Sequence, residues 1–291
     1  MDLVINLNKP SGITSHSAIQ RLKYAIKAKK VGHAGTLDPL AEGVLIVMTG
    51  RATKLSGYFT SFNKEYVATI KLGTTTDTLD REGRVIREAP VATDVSEHIE
   101  TALSRFTGTI EQTPPMFSAL KSNGQPLYKL ARQGIEIERA KRTVTIYEIQ
   151  LIGFESPFLT IRVLCSKGTY IRALASDLAE ELGTCGHIHS LMRTAIGDFT
   201  INDSFQLQTT ETENRGIYSM DKALSHLDEI TLDEHDMRDF LNGKITKILP
   251  ASDTGDIFYK VKDSRGALIA IAKMHDNGIR LQTLLSSSQN S

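Results

Sequence analysis

The chain has 291 residues, 40% of them hydrophobic, enough for one large domain and a small one around a sizeable core. Its 34 basic and 34 acidic side chains cancel, so net charge alone names no polyanionic partner. No apolar run approaches the roughly 18 residues of a membrane helix, there is no signal pattern, and two cysteines, Cys165 and Cys185, are too few for a disulfide framework. A cytoplasmic protein without redox chemistry is expected.

The distribution of charge says more than its total. No acid lies between Asp2 and Asp38, a stretch that holds Lys9, Arg21, Lys23, Lys27, Lys29 and Lys30. Lys121, Lys129 and Arg132 fall in a second acid-free stretch between Glu111 and Glu136, and Arg162, Lys167 and Arg172 in a third between Glu155 and Asp177. Each alone reads as a solvated face. Three in one neutral chain point to a positive surface for a polyanion, since phosphate contacts come from clustered Lys and Arg.

In chain order, residues 3–7 form a short apolar strand and Asn8-Lys9-Pro10-Ser11-Gly12 a turn. Thr14, Ser15 or Ser17 can cap a helix with the apolar stripe Ile19, Leu22 and Ile26. Gly32 to Leu45 reads as a presented loop: glycines flank His33, and Pro39 biases Asp38 toward an extended backbone. Val44 to Met48 is a buried strand, which sets Asp38 at a scaffold edge, where loops carry chemistry. An Asp before Pro is also an ordinary cap, and local spacing does not separate the two readings.

Beyond Gly50, Ala52 to Phe59 is a short helix, and Lys64 to Leu72 alternates as a strand with Tyr66, Ala68, Ile70 and Leu72 on one face. Asp77, Asp80 and Glu82 lack the spacing of an EF-hand loop, so a turn bonded by its own side chains is expected. Val95 to Phe106 has helical spacing. The prolines in Gln112 to Lys121 forbid regular structure, and this acid-free loop is expected to be mobile and to touch substrate. A short helix fills Gly124 to Gly134 with Leu127, Tyr128 and Ala131 inward, and Val144 to Phe154 and Phe158 to Cys165 are paired antiparallel strands. Lys167 to Arg172 then opens a helix with Leu174, Leu178 and Leu182 inward and Gly183 as its stop, so Tyr170 and Arg172 sit at a strand-to-helix junction.

Cys185, His187 and His189 alternate and would face one way on a strand, but a zinc site takes three or four protein ligands and no other Cys or His clusters nearby, so no metal is expected. Thr200 to Gly216 reads as a polar surface excursion. After Asp228 come a short helix at Asp236 to Leu241 and alternating runs at Ile257–Val261, Ala267–Lys273 and Ile279–Leu284, a small β-rich appendage with a frayed tail from Ser286 to Ser291. The expected division is a large domain over residues 1–228 and a small one over 229–291.

Several of these stretches match one known pattern in order. They are Asn8-Lys9-Pro10-Ser11-Gly12-Ile13-Thr14-Ser15, the Gly32 to Leu45 stretch around Asp38, Lys64-Glu65-Tyr66 with Leu72-Gly73, Thr76-Asp77-Thr78 and Asp80, Pro114 to Lys121 with Tyr128, Ala131 and Arg132, and Cys165 to Arg172. Together, from about Leu3 to Phe199, they resemble the TruB family of bacterial tRNA pseudouridine-55 synthases. Met192 departs from the pattern, standing before Arg193 where relatives often carry a second basic residue. The segment past Asp228 resembles the family's small PUA-like RNA-binding domain loosely.

The resemblance implies an α+β pseudouridine synthase core on a mixed, mainly antiparallel sheet flanked by helices, plus the PUA-like domain. It also implies a monomer that partners the T-arm of tRNA, with no cofactor, no metal and no membrane. The implied reaction detaches uracil from C1′ of uridine 55 in the T-loop, turns it and rejoins it through C5. One ionised carboxylate acting on the sugar and one base for the C5 proton suffice for such an isomerisation. Whether Asp38 attacks C1′ or removes a sugar proton stays open. By position, Asp38, Tyr66 and Arg172 are the expected catalytic residues, Tyr66 stacking on the target ring and Arg172 pairing with Asp38. His33 is expected to help displace loop bases and Tyr170 to line the pocket, since flipping a base costs a few kcal/mol and stacking returns roughly 1–3 kcal/mol. Lys9, Lys29, Lys30, Lys121, Arg132, Lys167 and Arg193 are expected to contact RNA. A non-catalytic tRNA-binding protein could dispense with Asp38. A metal-dependent base hydrolase or deaminase would need Cys185, His187 and His189 with a Glu, and its His-x-Glu and Cys-x-x-Cys pattern is missing.

Overall fold

Strict alternation along Lys64–Leu72 buries Lys64, Tyr66, Ala68, Ile70 and Leu72 on one face, and this strand lies inside the large sheet of the computed structural model. The structure describes residues 1–122, 124–207, 215–246, 257–275 and 278–286. The sheet runs Phe205–Gln206, Leu3–Lys9, Glu42–Thr49, Gly186–Ile196, Lys64–Leu72, Phe158–Cys165, Arg142–Glu155, Gly108–Gln112. Two of these pairings are parallel, Glu42–Thr49 with Gly186–Ile196 and Leu3–Lys9 with Phe205–Gln206; the others on the path are antiparallel. The architecture is the expected α+β, with a mixed, mainly antiparallel sheet.

Helices Val95–Arg105 and Ile171–Glu181 pack Ile99, Leu103, Leu174 and Leu178 against Ala68, Ile70, Ile161 and Val163 of the central strands. Helix Ser15–Ala25 covers Ile5, Leu7, Leu45 and Val47, while Ala52, Leu55 and Phe59 cover Val4, Val44, Ile46 and Met48 from the other side. Glu42–Thr49 is therefore buried on both faces, which is why it reads as a continuous apolar run rather than an alternation. Gly43 lies opposite Arg193 at the parallel junction, with φ +102, and a Cβ there would lie 2.2 Å from the Arg193 carbonyl oxygen. Only glycine lets the two halves of the sheet meet so closely.

Three expectations need correction. Gly32 to Leu45 is not one loop: Val31–Ala34 pairs antiparallel with Glu42–Thr49, His33 opposite Val47, because the buried apolar strand offers its free edge to these four residues. The loop proper is residues 35–41. Thr200 to Gly216 is not merely a surface excursion, since Phe199–Thr200 and Phe205–Gln206 both pair with the sheet and Ser204 is buried; residues 208–214 lie outside the described residues. The C-terminal sheet has a fourth strand, Asp228–Thr231, parallel to Phe258–Lys262, which lies beside Leu268–His275 and Gly278–Leu284. The expected boundary thus falls at the first residue of a strand, and the tail at 287–291 lies outside the described residues.

The small sheet packs Ile230, Leu232, Val261 and Ile279 with Phe240 of helix Glu234–Leu241. It also shares a second cluster with the large sheet, where Ile271, Leu285 and Phe258 meet Val4, Phe59 and Phe199. Among the described residues no helix is long and apolar enough to cross a membrane.

Candidate active site

The loop between Ala34 and Glu42 is held by the turn that precedes helix Ser15–Ala25. Ser15 Oγ accepts from the Leu37 amide at 2.8 Å and donates to the Leu37 carbonyl at 2.9 Å. Ser11 Oγ donates to Leu40 O at 2.6 Å, and the Gly12 amide to Pro39 O at 2.9 Å. Lys9 Nζ donates to the carbonyls of Pro10, Ile13 and Pro39 at 2.9, 2.7 and 3.3 Å. Lys9, expected to contact RNA, is instead fully buried, with its ammonium turned to these carbonyls, and ties the turn to the loop. Burial lowers its pKa to about 8, with Asp38 opposing the shift.

Arg172, in the first turn of helix Ile171–Glu181, is buried beneath Asp38. Its Nε donates to Asp38 Oδ2 at 2.8 Å and its Nη2 to Oδ1 at 3.0 Å, the bidentate fork that fixes a carboxylate's plane. The same guanidinium donates to Thr78 O at 2.9 Å and Phe117 O at 2.8 Å, and Asp80 Oδ2 lies 3.8 Å from Nη1. One side chain thus ties together the Asp38 loop, the Asp80 turn and the Thr113–Leu120 segment. The Asp80 turn is built as expected: Thr78 Oγ1 and the Glu82 amide donate to Asp80 Oδ1 at 2.7 and 3.0 Å, and Thr76 Oγ1 donates to Asp80 O at 2.6 Å. At the helix entrance Gln112 Nε2 donates to Tyr170 O at 3.0 Å while its Oε1 accepts from Tyr170 N at 2.8 Å.

These contacts surround a cavity of about 240 Å³ lined by Asp38, Lys64, Tyr66, Tyr170, Arg172 and Arg193, with Gly35, Ser118 and Lys167 among its other walls. It is smaller than the roughly 300–1,000 Å³ of drug-sized pockets and suits a single nucleobase. Asp38 is the one acid on its lining among the described residues, with a side chain 35% exposed. Burial raises Tyr66 above the ordinary phenol value, with Arg193 beside it opposing the rise, and burial raises Tyr170 as well. A larger cavity, about 680 Å³, lies behind Thr113–Phe117 and is lined by Asp77, Arg84, Arg132, Arg139 and Asp177. It lacks the Asp38 carboxylate.

The other expected residues separate by burial. Lys29, Lys30, Lys121, Arg132 and Lys167 are exposed. Arg193 is not: it is 1% exposed and donates to Val44 O at 2.7 Å and Gly35 O at 2.9 Å, a seat that removes it from surface phosphates. His33 stands on a strand beside the cavity rather than on its wall; burial and the charge of Arg193 lower its pKa, and its Nδ1 is buried without a hydrogen-bond partner among the described residues. His187 Nδ1 lies 2.7 Å from Thr74 O, Cys185 Sγ donates to Arg87 O at 3.8 Å, and His189 packs on the Phe158 ring. Sequence reasoning missed Asp80 as a neighbour of Arg172, Gln112 as the Tyr170 anchor, and Lys64 in the cavity. Lys64 and Asp80 carried a signal, since both stand in stretches that match the family pattern and Lys64 lies two residues before Tyr66 in the same alternation.

A family profile described as TruB family pseudouridylate synthase (N terminal domain) matches residues 23–171. The chain belongs to this family. Relatives agree across most of its length: tRNA pseudouridine synthase B of Clostridium kluyveri is 46% identical over 245 residues, covering 84% of each chain. The enzyme of the same name from Clostridium acetobutylicum is 39% identical over 294 residues, 98% of this chain and all of that one. Among solved structures, a chain from a Cbf5–Nop10–Gar1 complex matches with TM-score 0.72 and 25% identity, covering 98% of this chain and 85% of that one. As a TruB family pseudouridylate synthase the chain is an isomerase, and its opening turn has a physical role in holding the Asp38 loop.

Proposed function

We propose that this pseudouridine synthase acts on tRNA, at uridine 55 of the T-loop, with Asp38 as the group that acts on the sugar. The observation that carries the reading is the bidentate Asp38–Arg172 pair facing a base-sized cavity walled by Tyr66 and Tyr170. A carboxylate held by a fork keeps its position while the base is turned out of the stack, and the two phenol rings supply stacking surfaces that offset part of the flipping cost. Lys29, Lys30, Lys121, Arg132 and Lys167 supply the exposed charge for the T-arm backbone, and the C-terminal sheet serves as a PUA-like RNA-binding unit. The enzyme works as a cytoplasmic monomer without cofactor or metal.

Mapping pseudouridine in bulk unmodified tRNA after incubation with the protein tests the substrate and the position. New pseudouridine at position 55 is the expected result, and none there rejects the reading. On the same preparation Asp38→Asn is expected to bind tRNA within about threefold of wild type and to lose at least a thousandfold in turnover. Near-normal turnover by this variant rejects the assignment of Asp38.

A further inference from the structure

Two cations in the Asp38 cavity have no carboxylate to neutralise them among the described residues. Lys64 and Arg193 both line it, and they are only 6% and 1% exposed. Lys64 Nζ donates to the carbonyls of Thr60 and Phe62, each at 2.6 Å, and Arg193 to those of Val44 and Gly35 at 2.7 and 2.9 Å. Carbonyl dipoles are thus their partners, joined for Arg193 by the neutral Tyr66 hydroxyl. The ion pairs of the cavity among the described residues are those of Arg172 with Asp38 and Asp80, so the one acid on the lining already has both oxygens engaged. Gly35, three residues before Asp38, neighbours both cations: Arg193 Nη1 and Lys64 Cε would lie at ordinary contact distances, 3.6 and 4.0 Å, from a Cβ there, and its φ of +82° is what calls for glycine.

Burying a charge without a counter-charge is costly, and a site that keeps two is arranged for negative charge that arrives during its work. The proposed isomerisation creates such charge. When the N1–C1′ bond breaks, its electron pair stays on uracil, spread over N1 and the two carbonyl oxygens, while Asp38 relieves C1′. Resting on the reading of this site as the uridine isomerase, we infer that Lys64 and Arg193 stabilise the detached uracil ring as an anion until it rejoins the sugar. The ring turns, an electron pair at C5 forms the C5–C1′ bond, the C5 proton leaves and N1 gains one. Product and substrate are isomers, and no further reactant enters. A phosphate of the flipped nucleotide would meet the same cations but carries its charge before any bond breaks, so it would show in affinity rather than in rate.

The proton on Lys64 separates these cases. Burial, reinforced by the charges of Arg193 and Lys167 and opposed by Cys165, lowers Lys64 to about 8; Asp38, Tyr66 and Arg172 face it across the cavity. Cys165 is raised to about 11 and Tyr66 above its ordinary 10, so both stay neutral where Lys64 discharges. Single-turnover rates on an unmodified tRNA transcript at saturating enzyme, measured from about pH 6.5 to pH 9.5, should fall for wild type above pH 8. Lys64→Arg, which keeps its charge, should move that fall to higher pH. Lys64→Met should lose roughly a hundredfold in rate at neutral pH, with a tRNA dissociation constant within about twofold of wild type. Unfolding in urea identifies any variant that has not folded, and a level wild-type rate through pH 9 overturns the inference; a fall that stays in place in Lys64→Arg belongs to Lys9, also lowered to about 8, and overturns it too. So does Lys64→Met with near-normal rate, or with weakened binding and normal rate, which assigns the cations to a phosphate. A wild type that makes no pseudouridine at all rejects the proposed function instead.

Discussion

Arg172 shows how one residue holds a site. Its fork fixes Asp38, and its remaining donors fix the carbonyls of Thr78 and Phe117, so three loops share one buried charge. Lysine has the charge without the planar fork. Arg172→Lys is therefore expected to fall at least a hundredfold in turnover, and to lose about 1–3 kcal/mol in stability as buried carbonyls lose their donor; single-turnover assays and urea unfolding measure the two effects. Lys9 allows a prediction with a definite sign in pH. Its ordinary value of 10.5 falls to about 8 in the fold. Below pH 8 both states are protonated. Between about pH 8 and pH 10.5 the unfolded chain holds a proton that the folded chain has released, so stability rises with pH across that window. Relative to Lys9→Met, wild type should gain about 1 kcal/mol in urea unfolding between pH 8 and pH 9. No gain would mean that Lys9 keeps its proton in the fold.

At the scale of elements, the Asp38 loop is held by serine side chains that replace the backbone pairing a loop lacks. Ser15→Ala leaves both the amide and the carbonyl of Leu37 without their partner, at a cost of about 1–3 kcal/mol. Since Leu37 adjoins Asp38, turnover at saturating tRNA should fall more than affinity does. Equal losses in both would place Ser15 in RNA binding instead. The strands and helices around this loop were largely legible in the sequence, because period-two alternation in Lys64–Leu72 and helical spacing in Ile171–Glu181 reflect burial on one face. What escaped was long-range. Lys9 and Arg193 look like surface cations in sequence, and only the fold shows that their donors meet loop carbonyls. Gln112 sits before two prolines, and nothing local foretells its paired bonds to Tyr170, 58 residues away. The Thr200–Gly216 stretch misled for a related reason: two-residue strands on a sheet edge are too short for periodicity to register.

At the scale of the whole molecule, the two sheets are joined by apolar packing and not by a bare linker. The Tyr58 ring meets Phe258 edge-on at 5.8 Å and stacks on His226 at 5.7 Å, and Lys54 Nζ donates to Leu284 O at 2.7 Å. Ile271 and Leu285 are fully or almost fully buried in the cluster that also holds Phe59 and Phe199. Deleting residues 229–291 would strip this cover from a large apolar face, so the truncated chain should unfold at lower urea concentration as well as bind tRNA more weakly. The exposed lysines act differently. Lys29 and Lys30 stand clear of both clusters, and each phosphate contact adds roughly 0.9 to the log–log salt slope on duplex nucleic acid. Replacing both with Gln should lower the slope by about two, leave the urea midpoint unchanged and spare the chemical step at saturating tRNA. Stability, affinity and turnover measured on both proteins separate the two roles. A truncated chain as stable as the full one, or a Lys29/Lys30 variant with an unchanged salt slope, would contradict a division in which the small sheet braces the fold while surface lysines supply the electrostatic grip.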